Sequence, residues 1–182
     1  ISLHSMQFLG PPFTFGLAQV ADNITIAGPS AVTAVDDKVF WMGLGDFYVY
    51  TGQTQKIDCP VRTFIFKDFN QSQSALTVCA LNSTFSEIWW FYPSANSNEN
   101  DRYIIYNYVE GTWSVGTLPR TAWQDRGLFS APIAASTDGY LYNQETGLND
   151  GSTNPVSPIT SYIESSTMSI GEGNDFVFLS RL

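Results

Sequence analysis

The sequence predicts an all-β protein built from antiparallel, blade-like sheets, and three observations carry that expectation. Apolar residues recur with the period of strands almost throughout. Aromatic and β-branched runs come in pairs around glycine-containing or polar turns, the pattern of hairpins. A similar design recurs at a distance: GDFYVYTGQ (45–53) and DGYLYNQETG (138–147) each place a Gly or Asp-Gly turn before an aromatic strand and a second glycine after it. Such recurrence is the signature of a fold assembled from like units. The expected architecture is a partial β-propeller or a fragment of one; a β-sandwich or an irregular barrel is the alternative.

Along the chain, residues 1–38 form an N-terminal segment of strand and loop, and residues 39–182 carry the blade-like pattern. VFWMGLGDFYVY (39–50) reads as two four-residue strands around Gly43-Leu44-Gly45-Asp46, where glycine supplies the positive φ of tight turns. VRTFIFKDF (61–69) fits a helical turn or a strand equally. ALTVCALNSTFSEIWWFYP gives strands at 76–81 and 88–92 around a polar turn at 82–86. PSANSNENDR (93–102) is expected to be an exposed loop. RYIIYNYVEGTWSVGTL (102–118) gives a third hairpin, and APIAASTDGYLYNQ (131–144) a fourth, turning at Thr137-Asp138-Gly139. NQETGLNDGSTNPVSP (143–158) is rich in turn residues. ITSYIESSTMSI and DFVFLSRL flank Gly171-Glu172-Gly173-Asn174 as a fifth hairpin.

Composition narrows the function. Hydrophobic residues make up 43% of the chain and aromatics 15%, whereas charged residues reach only 14%, against about 25% in a typical soluble domain. So few charges suit a subunit whose surface is partly covered by neighbours. The formal charge of −9 and the scattered Lys38, Lys56, Lys67 and arginines argue against a surface that grips nucleic acid. No apolar run approaches the length of a membrane span, and ISLHSMQFLGPPFTFGLAQV lacks the basic start and continuous apolar centre of a signal peptide. The initial Ile and the strand-like FVFLSRL end suggest a piece of a longer polypeptide.

Chemistry is harder to find. Cys59 and Cys79 sit in apolar surroundings (KIDCPV, LTVCAL) and read as buried free thiols, although a disulfide stays open. His4 is the only histidine, there is no G-x-S-x-G, and no base stands ready for a serine or cysteine nucleophile. A propeller glycosidase needs only two or three carboxylates. Glu87 and Glu164 are the acids least expected among apolar neighbours, and Trp89 and Trp90 beside Glu87 could stack on a sugar. A strand-edge Glu next to a core run is the simpler reading. The oxygen-rich loops 96–101 and 149–154 lack EF-hand spacing. The expectation is therefore no catalytic residue, no cofactor and no metal.

The residues that matter are then structural: Tyr106, Trp113, Trp89, Trp90, Gly139, Tyr140 and Tyr142. The spacing of Tyr106 and Trp113 resembles that of kelch-type blades, where such a pair packs between adjacent blades, although no Gly-Gly pair precedes the aromatic. WWFYP, YNY-x-x-x-x-W, TDGYLYN and YIESS, with FWMGLGDFYVYTG upstream, resemble the packaged-DNA stabilisation and tail-nozzle (head-to-tail adaptor) proteins of short-tailed phages and prophages. That resemblance spans roughly 39–182 and implies a non-enzymatic virion protein, located in the phage tail and assembled in the bacterial host cytoplasm. Its implied partners are copies of itself in a ring, the portal or adaptor, other tail proteins, and packaged DNA that passes without sequence-specific binding. It implies no membrane span. An acidic wall would let the phosphate backbone slide without sticking. One departure is size: at about 40–50 residues per blade, the chain holds three to four blades. The alternative function is a carbohydrate-binding or glycoside-hydrolysing β protein with exposed Trp89, Trp90, Trp113 or Trp123; a secreted adhesion domain is a third possibility.

Overall fold

Chain order governs strand pairing. The computed structural model, which describes residues 2–149 and 155–160, is all-β, with antiparallel sheets and no closed barrel. The chain divides into two units, Ile1–Thr146 and Gly147–Leu182, and every strand named below lies in the first. In the second, Asn149 and Pro158 form an isolated antiparallel bridge. The expected fifth hairpin and Glu164 lie outside the described residues, apart from Ile159 and Thr160.

The N-terminal segment opens with a two-stranded ribbon, β1 (Ser2–Phe8) and β2 (Phe15–Asp22). The first blade-like sheet follows as a meander of β3 (Val32–Val35), β4 (Lys38–Met42), β5 (Phe47–Tyr50) and β6 (Thr54–Ile57). Its opening strand comes from within residues 1–38. The predicted turn between β4 and β5 is present, closed by Gly43 N–H donating to the Asp46 carbonyl at 2.8 Å. The second sheet repeats the plan with β7 (Val78–Asn82), β8 (Glu87–Tyr92), β9 (Arg102–Asn107) and β10 (Thr112–Thr117). The third has three strands: β11 (Ala122–Gln124), β12 (Ile133–Ala135) and β13 (Leu141–Asn143). The two similar phrases of the sequence fall on β5 and β13, the third strand of their respective sheets.

Between the first two sheets, 61–69 resolves its ambiguity as a helix, α1 (Arg62–Asp68). Val61, Ile65 and Phe69 reach the core while Thr63 and Lys67 between them are exposed, which fits the helical period and not the alternation of a strand. Its first turn is held by Arg62 Nε, donating to the Gly45 carbonyl and to Asp46 Oδ1, both at 2.6 Å. A 3₁₀ turn (Gln71–Leu76) follows, taking in Leu76, the residue expected to open the next strand, with Asn70 Oδ1 accepting from Ser72 N–H at its start.

The sheets stack in chain order. Phe40, Met42 and Phe47 of the first sheet face Ile88, Trp90, Tyr92 and Ile104 of the second. The opposite face of the second sheet, with Ala80, Trp89 and Phe91, packs against Trp123 of the third. Strand β8 is therefore buried on both faces from Ile88 to Tyr92, which is why IWWFY is a continuous apolar run rather than an alternating one. The first strands are neighbours: β3 lies beside β7, and β7 beside β11. First strands clustered on one side with the meanders fanning outward is the arrangement of adjacent propeller blades.

Close packing extends to the loop before β3. A Cβ on Gly28 would come within 2.9 Å of both the Cα and the carbonyl oxygen of Ala75. Backbone cannot swing aside as a side chain can, so Gly28→Ala should cost about 1–3 kcal/mol, read as a lower urea midpoint with an unchanged slope.

Candidate functional site: the aromatic seams between sheets

The sequence has five tryptophans, and every indole N–H has a partner inside the protein. Trp90 donates to the Ala31 carbonyl at 3.1 Å, crossing from the second sheet to the approach to β3. Trp123 donates to the Leu81 carbonyl at 2.9 Å, crossing from β11 to β7. Each seam thus carries one indole bond to the inner region of the preceding sheet. Trp113 donates to the Asp58 carbonyl (2.9 Å), Trp41 to the Thr25 carbonyl (3.1 Å) and Trp89 to Glu87 Oε2 (2.9 Å). A buried indole or carbonyl left without a partner is costly, so the three bonds of Trp90, Trp113 and Trp123, which cross between sheets, favour this stacking.

Tyr106 and Trp113 lie directly opposite each other on β9 and β10, with ring centroids 4.5 Å apart. Both pack at the seam between the first and second sheets: Trp113 lies 4.9 Å from Phe47 and Tyr106 lies 6.2 Å from Phe40. Trp90 is fully buried beside them, 5.0 Å from Phe47. Trp89 occupies the other seam, 4.9 Å from Tyr103 and stacked 5.6 Å from Trp123. Gly139 takes a positive φ of 85° at the turn before β13. Tyr140 and Tyr142, by contrast, remain exposed. Tyr142 donates its hydroxyl to Asp138 Oδ2 at 2.7 Å and lies under the Arg120 guanidinium, 5.0 Å away. Sequence reasoning did not single out Trp41, whose N–H reaches across to the chain ahead of β3, nor Arg120.

The acids and polar loops are also accounted for locally. The Glu87 carboxylate holds the Trp89 indole. Burial pushes Glu145 above its usual value, with the negative charge of Glu87 adding to the effect. The 93–102 loop departs from the expected exposed linker: Pro93, Ser94 and Asn100 are buried. Its oxygens close it on itself, since Ser94 donates through N–H (2.8 Å) and Oγ (2.7 Å) to the Asp101 carboxylate. Asn100 Nδ2 donates to the carbonyls of Leu76 (2.8 Å) and Arg120 (3.1 Å), tying the 3₁₀ turn to the approach to β11. Polar residues are retained inside because backbone carbonyls there need donors. His4 is exposed on the ribbon and shares a 2.9 Å hydrogen bond with Ser2.

Among the described residues, three of the chain's eight basic side chains are ion-paired. Lys56 and Arg62 both hold Asp46, and Arg102 holds Asp68. Burial alone would raise the Asp46 pKa, but the hydrogen bonds and charges of Lys56 and Arg62 outweigh it and keep the carboxyl below its usual value. Burial depresses the Arg120 guanidinium, partly offset by Tyr142 and Asp138.

Cys59 and Cys79 are free thiols. Burial pushes Cys59 up to about 11 and Cys79 well above its ordinary value. The Tyr92 hydroxyl is pushed up to about 12, chiefly by burial with the Asp68 charge adding. Groups whose values are raised by folding give stability that is complete below their unfolded values, here 9.0 for thiols and 10.0 for tyrosine. That stability is lost as pH rises through the folded values. Urea midpoints should accordingly hold up to about pH 9 and fall between about pH 9 and 12, while native thiols stay unreactive towards a disulfide reagent until urea exposes them. Rapid labelling of the native protein at pH 8 would contradict this burial.

Fold and seams define a class, a stack of blade-like antiparallel sheets locked by aromatic side chains. No protein-family model matches the chain, and no curated protein matches it.

Proposed function

We propose that the chain is a structural, non-enzymatic subunit of a short-tailed phage virion, a tail-nozzle or packaged-DNA stabilisation component that extends or closes the portal channel. The observation that carries this reading is the chain-order stack of sheets whose seams engage Trp89, Trp90, Tyr106 and Trp113, aromatic residues from two of the phrases behind the sequence resemblance. Trp89 and Trp90, the pair best placed for a sugar platform, are buried with their N–H groups engaged, which favours a building block over a carbohydrate site. The charge supports the same reading. A chain of net −9, with Lys56, Arg62 and Arg102 paired to carboxylates, presents a field that repels phosphate and lets DNA pass.

The test is to mix the purified chain with the portal ring of a short-tailed phage and with duplex DNA at low salt. Co-sedimentation with the portal and no shift of the DNA are expected. Tight DNA binding at low salt, or indifference to the portal, would count against the proposal.

A further inference from the structure

The ribbon β1–β2 is unlike the rest of the molecule. A lone two-stranded hairpin is marginal in water, yet this one carries an uncovered apolar surface. Met6 pairs with Leu17, and Phe8 with Phe15, so these four side chains share one face; the Phe8 and Phe15 rings meet edge-on at 5.8 Å. Leu9 and Phe13 extend the apolar surface to the tip, and the six residues are 57–74% exposed. Residues 5–21 contain no charged side chain. Only the root of the ribbon meets the first sheet, across an apolar cavity of about 310 Å³ lined by Leu3, Val20, Ile24, Trp41 and Tyr50 among others. The distal half therefore extends from the outer face of the first sheet. At the other end of the stack the third sheet and its loops expose Leu128, Phe129, Tyr140 and Leu141, with β13 as the outer strand.

We propose that the ribbon is an assembly arm that docks on the third sheet of a second copy of this chain, around Tyr140 and Leu141. The six exposed ribbon residues present on the order of 800 Å², the share that each partner gives to a standard specific interface. Both surfaces are apolar, and the arm offers no cation for a phosphate or an anionic lipid headgroup. Because arm and acceptor lie at opposite ends of the stack, the contact is head-to-tail, and such contacts generate rings when the rotation closes and filaments when it does not. The inference rests on the ring reading proposed above and names the contact that would build the ring.

Sedimentation velocity of the 182-residue chain and two variants tests it. Leu17→Lys alters the arm and Leu141→Lys the acceptor; both side chains are exposed, and near-ultraviolet circular dichroism of the tryptophans checks each fold. The wild type is expected to form oligomers, and each variant to self-associate roughly thirtyfold more weakly, the loss of a central interface residue. An equimolar mixture of the two variants should restore one contact and give dimers but nothing larger. If Leu17→Lys disturbs the ribbon, Met6→Ser in its place should weaken association in the same direction. Undiminished association of either Lys variant, no dimer in the mixture, or a monomeric wild type that binds neutral phosphatidylcholine vesicles instead would overturn the arm. Rings insensitive to both variants would overturn the arm and leave the ring reading standing. Open filaments that both variants abolish would uphold the arm and overturn the ring reading.

Discussion

Trp90→Ala is expected to produce the largest loss of stability of any single truncation at the seams, about 3–5 kcal/mol. The side chain is fully buried, with ring contacts to Phe47 at 5.0 Å and Trp113 at 6.3 Å. Removing it leaves a cavity between two sheets that share one core and cannot collapse independently. It also removes one of the two hydrogen bonds at the Ala31 carbonyl, which keeps the Met42 N–H as a donor, and the lost bond adds a smaller cost. For a domain of this size the change should lower the thermal midpoint on the order of 10 °C. Trp90→Phe should recover much of the packing term but not the hydrogen bond, so its midpoint should fall between the two. A Trp90→Ala midpoint equal to wild type would mean that the first two sheets do not pack as described.

Trp113→Ala should cost about 3 kcal/mol, the low end for large aromatic truncations, because the residue is only half-buried. It stands at the outer side of the same seam, against Tyr106 and Phe47, and its N–H secures the Asp58 carbonyl just after β6. The first sheet's last strand should therefore loosen along with the seam. Amide exchange would show that locally: protection should drop in β6 (Thr54–Ile57) and β10 more than in β8. Uniform loss of protection across all three sheets would argue that Trp113 acts globally rather than at this edge. Folding and assembly at wild-type levels would remove Trp113 from the structural role assigned to it.

The hairpins were readable because their chemistry is local. The turn 43–46 and the turn at Thr137-Asp138-Gly139 announce themselves by glycine between aromatic strands, and both stand where expected. Tyr106 opposite Trp113 followed from their spacing in one hairpin. The short outer and inner strands were less legible: β6 (TQKI) is mostly exposed and polar, and β11 (AWQ) has three residues, too few to show a period. Stacking order is a long-range property, and a run such as IWWFY signals burial on both faces without saying which sheets supply the cover. The 93–102 loop misled for a physical reason. Its polar residues are inside because the carbonyls of Leu76 and Arg120 need the Asn100 amide, a requirement that appears only when distant segments meet. The ribbon shows another limit: alternation marks its strands but does not say that their apolar side faces outward.

The acidic balance and the free thiols needed no structure to suggest, and both fit the folded chain: Lys56, Arg62 and Arg102 answer nearby carboxylates, and both cysteines are unpaired. What the sequence left open was whether Glu87, Trp89 and Trp90 formed a platform or a core. The Trp89 indole held by Glu87 and the Trp90 indole held by Ala31 place them in the core.

Negative-stain imaging of the purified chain mixed with the portal ring of a short-tailed phage tests the proposed role most directly. Ring-shaped particles seated on the portal are expected, with an open lumen that does not retain duplex DNA. Isolated monomers beside bare portal rings would contradict it.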